Sequence, residues 1–421
     1  MTRRTLFASF VPAIASMSVQ DLTDDAVAGK KLSVFQKIFP EPTGTNGFEE
    51  IIRAGEPLRD VEREYSLVGG VPLSKKREYL ALPVCQDALR LLRIGLAKPL
   101  FLPRTSYTTD HYEAYACLRA LARLLATSVY VACADGRTDN AVRIAGDVLT
   151  FTHALQGVSY IGSLTAISVE AIVLKPLVQL RDSLSVADCR RLTRLMEQSL
   201  AKPDQAYRAF SVERGYLLGM VAAWREKWDG MFDVLEQLYA PSEDVPETPQ
   251  YRESLRYAAL VREDPTVRER VLNEMLELIT QHFDCVDAMM RDPTGRLVLM
   301  PPPNADANRH PMVPLLRNAF FVVEETAVRK SVQRRVSLQL VAIHAAIRAF
   351  RWENDRLPKT LDELELRASL VTDPFTAKSI LYDPEATGTG YALASAGALF
   401  PGANGKPDFR ERITFPWTKP K

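Results

Sequence analysis

The sequence predicts a mainly α-helical fold, an irregular helical-hairpin or solenoid-like array followed by a small α+β unit. Helical periodicity and helix-start signals recur from about residue 106 to residue 292. Clusters of Pro and Gly separate shorter helical stretches before that region. After residue 378, short runs rich in Tyr, Ile and Leu alternate with turn residues, and they predict a three-stranded antiparallel sheet behind one long helix.

Residues 1–20 form a candidate export signal. Arg3 and Arg4 precede a short apolar run, and residues 13–15, Ala-Ile-Ala, offer a small-x-small cleavage site. Ser9 and Pro12 interrupt the apolar run, so an ordinary first helix is an equal alternative. No run reaches the roughly 18 apolar residues that cross a bilayer, and we therefore expect no transmembrane span.

Two helical units follow. In residues 21–105 the pattern predicts three helices, at 21–39, 48–65 and 75–96, each ended by Pro or Gly. Residues 106–300 are predicted to form a helical-hairpin domain. Its helix-start signals are Asp110 with Glu113, Ser185 with Asp188, and Asp264 with Pro265. Asp135-Gly136 followed by Ala141 has the spacing of a tetratricopeptide turn, although the rest of that repeat does not recur.

A Pro-rich loop at 301–306 precedes the C-terminal unit, residues 313–421. Residues 313–352 are predicted to form one long helix or two pieces. One helical stripe is apolar and should be buried: Leu340, Ile343, Ile347 and Phe350. The expected strands lie at 379–382, 391–394 and 412–415.

The charge balance excludes one class of partner, and the cysteine pattern indicates the state of the thiols. The 53 basic and 52 acidic residues give a net charge of +1 without a basic cluster, so we expect no nucleic-acid partner. The five cysteines lack CxxC spacing and an odd number cannot all pair within one chain, so they indicate buried thiols.

A series of short motifs follows the long helix in a fixed order. A turn at 354–358 is followed by Asp373-Pro374-Phe375, then Tyr382, then the strand and Ser-x-Gly of residues 391–397. This order, over residues 336–400, resembles the soluble core of a type II secretion pseudopilin. Two positions depart from the family, because Arg356 and Leu357 stand where glycine and tyrosine are usual.

The resemblance implies a borrowed fold rather than a filament subunit, because more than 300 residues precede the unit. Many pseudopilins bind calcium in an acidic loop after the Ser-x-Gly strand. Here Asn404 and Asp408 are the only side-chain candidates beside Lys406, so an ordinary surface loop is the prediction. The whole chain also resembles a group of planctomycete-type bacterial proteins that join a helical region to such a unit and have no established activity. The residues that carry this second resemblance are 43–47, 54–55, 87–92, 136–141 and 213–214.

No motif predicts catalysis, a cofactor or a metal. His282 and Cys285 could share a helix face, but structural zinc needs four ligands and no second pair is suitably spaced. Glu170 lies in an apolar helix and should be buried, so it requires a cation. The hypothesised partner is Arg214, in a structural pair that fixes helix register.

An aromatic stripe begins at Trp224 and Trp228 and continues through Phe232 and Leu235. Core packing is the first interpretation and a partner groove the second.

These observations predict a non-enzymatic, envelope-associated structural or interaction protein. Its partners would be proteins, including components of a type II secretion or pilus-like assembly. Two alternatives remain: a hydrolase-like enzyme with a groove in the helical domain, and a cytoplasmic helical scaffold.

Overall fold

The structure, a computed structural model, describes residues 46–65, 71–100, 109–226, 228, 249–291, 309–314, 324–385, 390–397, 399–401, 407–410 and 412–416. Within these residues the chain is mainly helical and carries small antiparallel sheets near its C-terminal end. The predicted fold class is confirmed at this level. The candidate export signal at 1–20 and the predicted helix at 21–39 lie outside the described residues.

The N-terminal helices are shorter than predicted, because prolines divide them. The structure has α1 (Gly47–Gly55), α2 (Leu58–Tyr65), α3 (Leu73–Ala81) and α4 (Pro83–Leu96). Asn46 caps α1 by accepting a 3.1 Å hydrogen bond from the Phe48 amide. Pro57 and Pro83 each lack the amide that would continue a helical ladder, so the single helices expected at 48–65 and 75–96 are both broken in two.

The middle of the chain forms long helices that pack on one another. They are α5 (Thr109–Ala134), α6 (Thr138–Gln156), α7 (Tyr160–Gln179), α8 (Val186–Ala201), α9 (Ala206–Glu226), α10 (Pro249–Glu263) and α11 (Pro265–Arg291). Helix α7 packs against both α5 and α6, and α9 packs against α11. Gly136 turns the chain between α5 and α6 with φ of +74°, a conformation that glycine adopts without steric cost.

Two predicted helix starts are confirmed by their hydrogen bonds. Ser185 accepts from the amide of Asp188 at 3.1 Å, and Asp264 accepts from the amide of Thr266 at 2.8 Å. Pro265 then occupies the first turn of α11.

The C-terminal part is built on one 31-residue helix, α12 (Glu324–Asn354). A 3₁₀ turn (Leu361–Leu364) and α13 (Ala368–Val371) follow it. Strand β1 (Leu381–Pro384) pairs antiparallel with β2 (Tyr391–Ala394), and β3 (Leu399–Pro401) pairs antiparallel with β4 (Pro407–Arg410).

The expected single sheet of three strands is wrong, because the described strands form two separate pairs. The third predicted strand, at 412–415, contributes only an isolated bridge between Ile413 and Ser395. Gly397 has φ of +77°, which bends the chain out of the extended conformation two residues after that bridge. Pairing with β2 therefore stops there.

The buried core crosses the boundary predicted between the helical domain and the C-terminal unit. Helix α12 packs along α8 and also contacts α7 and α11. Leu340, Ile343 and Ile347 of the predicted stripe are all buried, within a cluster that also contains residues of α1 and of β2. The long helix thus belongs to both parts.

Two described helices are long and apolar enough to cross a bilayer by length and composition, Ala114–Ala134 and Tyr160–Gln179. This corrects the expectation that no stretch is long enough. Both belong to the central helices α5 and α7, and 72% and 67% of their apolar windows are buried inside the protein.

Candidate functional site

Glu170 is buried as predicted, but its partner differs from the prediction. The residue is 2% exposed, and its carboxylate receives two hydrogen bonds from the Arg334 guanidinium, at 2.7 and 2.9 Å. Thr152 and Gln156 of α6 donate to the same carboxylate at 2.7 and 3.2 Å. The pair joins α7 to α12 and satisfies a charge that would otherwise be very costly to bury.

Arg214, the hypothesised partner, lies elsewhere. It is half-buried on α9 and forms an ion pair of 3.3 Å with the exposed Asp284 of α11. Arg334 is 164 residues from Glu170 in the sequence, and no local pattern connects them. The only available signal was an arginine next to buried positions in α12, between Val332 and Val336.

The metal candidates gain no further ligands. Among the described residues, no three His, Cys, Asp or Glu side chains are grouped so that they could hold an ion. His282 packs edge-on against Phe283 with ring centroids 5.3 Å apart, and Cys285 is half-buried. Asn404 and the side chain of Asp408 lie outside the described residues.

The Asp-Pro-Phe motif fixes the loop that follows α13 to the end of β2. Asp373 is fully buried and accepts hydrogen bonds from the Phe375 amide, the Ser395 hydroxyl and the Ala396 amide, at 2.8, 2.9 and 2.7 Å. Three donors in this geometry replace the water that the carboxylate loses. Asp373 is therefore a structural anchor, a role that the sequence motif alone did not specify.

A second polar cluster joins α12, β2 and the 3₁₀ turn Arg181–Ser183. His344 Nδ1 and the Tyr391 hydroxyl lie 2.7 Å apart, and Arg181 hydrogen-bonds the same tyrosine. Burial, reinforced by the charge of Arg181, lowers the pKa of His344 to about 3. Burial raises the pKa of Tyr391 to about 12. Both groups are therefore neutral at physiological pH.

The candidate ligand site is a cavity of about 370 Å³ between helices α3 and α4 on one side and α5 and α6 on the other. Sequence reasoning did not identify it. Its wall is part apolar, with Leu80, Leu92, Leu125 and Ile144, and part strongly polar. The polar lining residues are Arg77, Gln86, Arg93, Ser128, Asp135, Arg137, Asn140, Arg143 and Asp147. Neither Glu170 nor Arg214 lines it.

The polar side chains of the cavity form two clusters. Arg77 and Arg137 both bond Asp135, and these hydrogen bonds lower the pKa of its carboxyl. Arg143 contacts Asp147 at 2.6 Å and Asn140 at 2.8 Å. Burial raises the pKa of Asp147, while the charges of Arg143 and Arg93 act in the opposite direction. The first cluster lies at the turn around Gly136, and the second lies on α6.

Searches of protein-family models, of curated proteins and of solved structures found no match to this chain.

Proposed function

We propose that this chain is a non-enzymatic interaction protein of the bacterial envelope. In this proposal the helices form an irregular hairpin or solenoid-like array. The C-terminal unit is pseudopilin-like and contacts a protein of a secretion or pilus-like assembly. The observation that supports the proposal is that this unit is fastened to the helices in one fixed orientation. A rigidly held surface loses little conformational freedom on binding.

Polar contacts hold the unit at several points. The Gln339 side chain of α12 donates to the carbonyls of Ser369 and Thr372, both at 2.8 Å. Arg367 forms a 2.6 Å ion pair with Glu197 of α8. Together with the bond between His344 of α12 and Tyr391 of β2, these contacts connect α13 and β2 to the long helices.

The proposed contact surface is centred on Trp352 near the end of α12. This residue is 55% exposed, whereas large aromatic residues are usually buried. The Arg348 guanidinium lies 4.0 Å from the ring centroid and is itself held by the backbone carbonyl of Asp182 at 2.9 Å. Tryptophan and arginine are the residue types that most often dominate protein interfaces. The ring is thus already oriented for a protein partner.

Site-specific photocrosslinking in the native host tests this role. A photoreactive phenylalanine analogue would replace Trp352, and the control would carry the same analogue at Leu260, an exposed apolar position on α10. We expect a crosslinked adduct with an envelope assembly protein from position 352 and none from position 260. Equal labelling at both positions, or no adduct at 352, would contradict the proposal.

Fractionation of the same cells and N-terminal sequencing of the protein distinguish the envelope role from the alternative, a cytoplasmic scaffold. A mature protein that begins at Ser16 in the envelope fraction supports export. An intact Met1 in the cytosolic fraction would instead favour a cytoplasmic scaffold.

A further inference from the structure

Four arginines line the cavity between α3–α4 and α5–α6, opposed by two aspartates. Arg77 and Arg137 share one carboxylate, Asp135, and Arg143 is bonded to Asp147. The lining therefore carries two positive charges in excess, whereas the whole chain carries only +1. A local excess of this kind within a concave surface attracts an anion of matching charge.

Of the four arginines, Arg93 forms the fewest hydrogen bonds to the described residues. It is exposed on α4 and lies close enough to Asp147 to affect its pKa, but the described residues include no hydrogen bond from its guanidinium. An arginine presents five N–H donors in a planar fork that matches phosphate oxygens. Arg93 can therefore bind a ligand without first breaking a bond within the protein.

We propose that this cavity binds a small phosphomonoester with a polar organic body. A phosphomonoester carries close to two negative charges at neutral pH, which equals the excess positive charge of the lining. Arg93 and Arg143 bind the phosphate group. Asn140, Gln86 and Asp147 face the same space and accept hydrogen bonds from hydroxyl groups of the body.

The size and the apolar wall restrict the ligand further. A volume of about 370 Å³ is at the small end of ligand sites, which span roughly 300–1,000 Å³. Leu80, Leu92 and Ile144 form an apolar surface on which a compact body packs. A free sugar phosphate or nucleoside monophosphate fits these limits. The site goes beyond the proposed interaction role and does not depend on it.

Calorimetric titration of the full chain at fixed ionic strength tests the proposal. The probes are glucose 6-phosphate, glycerol 3-phosphate, adenosine 5′-monophosphate, glucose, inorganic phosphate and sulfate. We expect at least one phosphomonoester to bind at least tenfold more tightly than sulfate and than inorganic phosphate, and glucose not to bind. The proposal is overturned if no phosphomonoester exceeds sulfate, or if inorganic phosphate binds as tightly as all three.

Two variants on one helix provide a matched comparison. Arg93→Gln removes a guanidinium that lines the cavity, and Arg90→Gln removes one that faces away, where it pairs with Asp87 at 3.3 Å. We expect Arg93→Gln to weaken binding about tenfold or more, because hydrogen bonds between a guanidinium and a phosphate are charge-assisted and therefore strong. Arg90→Gln should leave the affinity unchanged. An equal loss in both variants would mean nonspecific charge attraction and would overturn the site.

A final experiment distinguishes a free phosphomonoester from a lipid headgroup of the same chemistry. Phosphatidic acid in phosphatidylcholine vesicles presents a phosphomonoester at a membrane surface. Binding of these vesicles without binding of any soluble phosphomonoester would overturn the proposal. Circular dichroism and thermal unfolding of both variants verify that the fold is retained. We expect it to be retained because both positions are exposed.

Discussion

At the residue scale, the pairing of Glu170 illustrates how burial selects a partner. Glu170 is 2% exposed, so its carboxylate requires a cation that is itself largely removed from solvent. The Arg334 side chain is 13% exposed, whereas the Arg214 side chain is 33% exposed and its partner Asp284 is 63% exposed. Arg334 therefore meets the requirement, and Arg214 is free to pair with a solvated carboxylate.

We expect Arg334→Met to lower the free energy of unfolding by about 3 kcal/mol or more, because it leaves Glu170 buried without its cation. The matched control, Arg214→Met, should cost less than about 1 kcal/mol, as surface ion pairs do. Urea unfolding monitored by circular dichroism measures both. Adding Glu170→Gln to Arg334→Met should recover part of the loss. Equal costs for the two single variants would refute this assignment of the partner.

At the scale of elements, helix α1 crosses α4 at a distance that only glycine permits. A Cβ atom built at Gly95 would lie 2.5 Å from the Gly47 carbonyl oxygen. A Cβ built at Gly47 would lie 2.0 Å from the Gly95 oxygen. Real Cβ contacts are not this short, so each glycine is required by the other helix and not by the helix that contains it.

We therefore expect Gly95→Ala to destabilise the protein by about 2 kcal/mol, the usual cost of overpacking. The matched control is Gly219→Ala within α9, where an added Cβ meets no atom within 4 Å. That change should stabilise the protein by about 0.5–1 kcal/mol, because alanine loses less conformational entropy in a helix. Thermal unfolding of both variants shows whether each change raises or lowers the stability of the protein. A stabilising Gly95→Ala would show that the two helices do not cross closely.

At the scale of the whole molecule, one neutral histidine lies where the C-terminal strands meet the helices. His344 on α12 bonds Tyr391 of β2, and the backbone of Phe415 also bonds its ring. The pKa of this histidine is about 3 in the folded protein, whereas an unperturbed histidine has a pKa near 6.5. The unfolded chain therefore binds a proton that the folded protein excludes. This contribution to stability is complete above the unfolded pKa and is lost progressively as the pH falls from about 6.5 towards 3.

The expected result is that His344→Gln loses less stability on acidification than the wild-type protein does. Between pH 7 and pH 5 the difference should be about 2 kcal/mol, from the linkage of proton binding to unfolding. Urea titrations at the two pH values measure it. Tyr391→Phe serves as the control, since it removes the hydrogen bond but keeps the buried imidazole and should retain the wild-type pH dependence. An identical pH dependence in His344→Gln and the wild type would contradict the argument.

The local features of the fold were predictable because they depend on neighbours in the sequence. The caps at Ser185 and Asp264 require only the next two or three residues. The strand at Tyr391 and the buried stripe of α12 follow from side-chain periodicity. The breaks at Pro57 and Pro83 are equally local, but the apolar periodicity continues across each proline and predicts one unbroken helix.

The arginine-lined cavity could not be predicted, since its residues come from four helices and only the packing of those helices brings them together. The division of the strands into two pairs also depended on a backbone rotation at Gly397 that the strand pattern does not report.

The sequence by itself determined the helical class, the starts of α8 and α11, the buried stripe of α12 and the need of Glu170 for a cation. Only the tertiary structure decided that Arg334 is that cation, that α12 belongs to the helical core as well as to the C-terminal unit, and that Arg93 and Arg143 line one cavity. The physical reason is range: capping, proline and periodicity act over a few residues. Burial and charge pairing depend instead on which distant surfaces pack together.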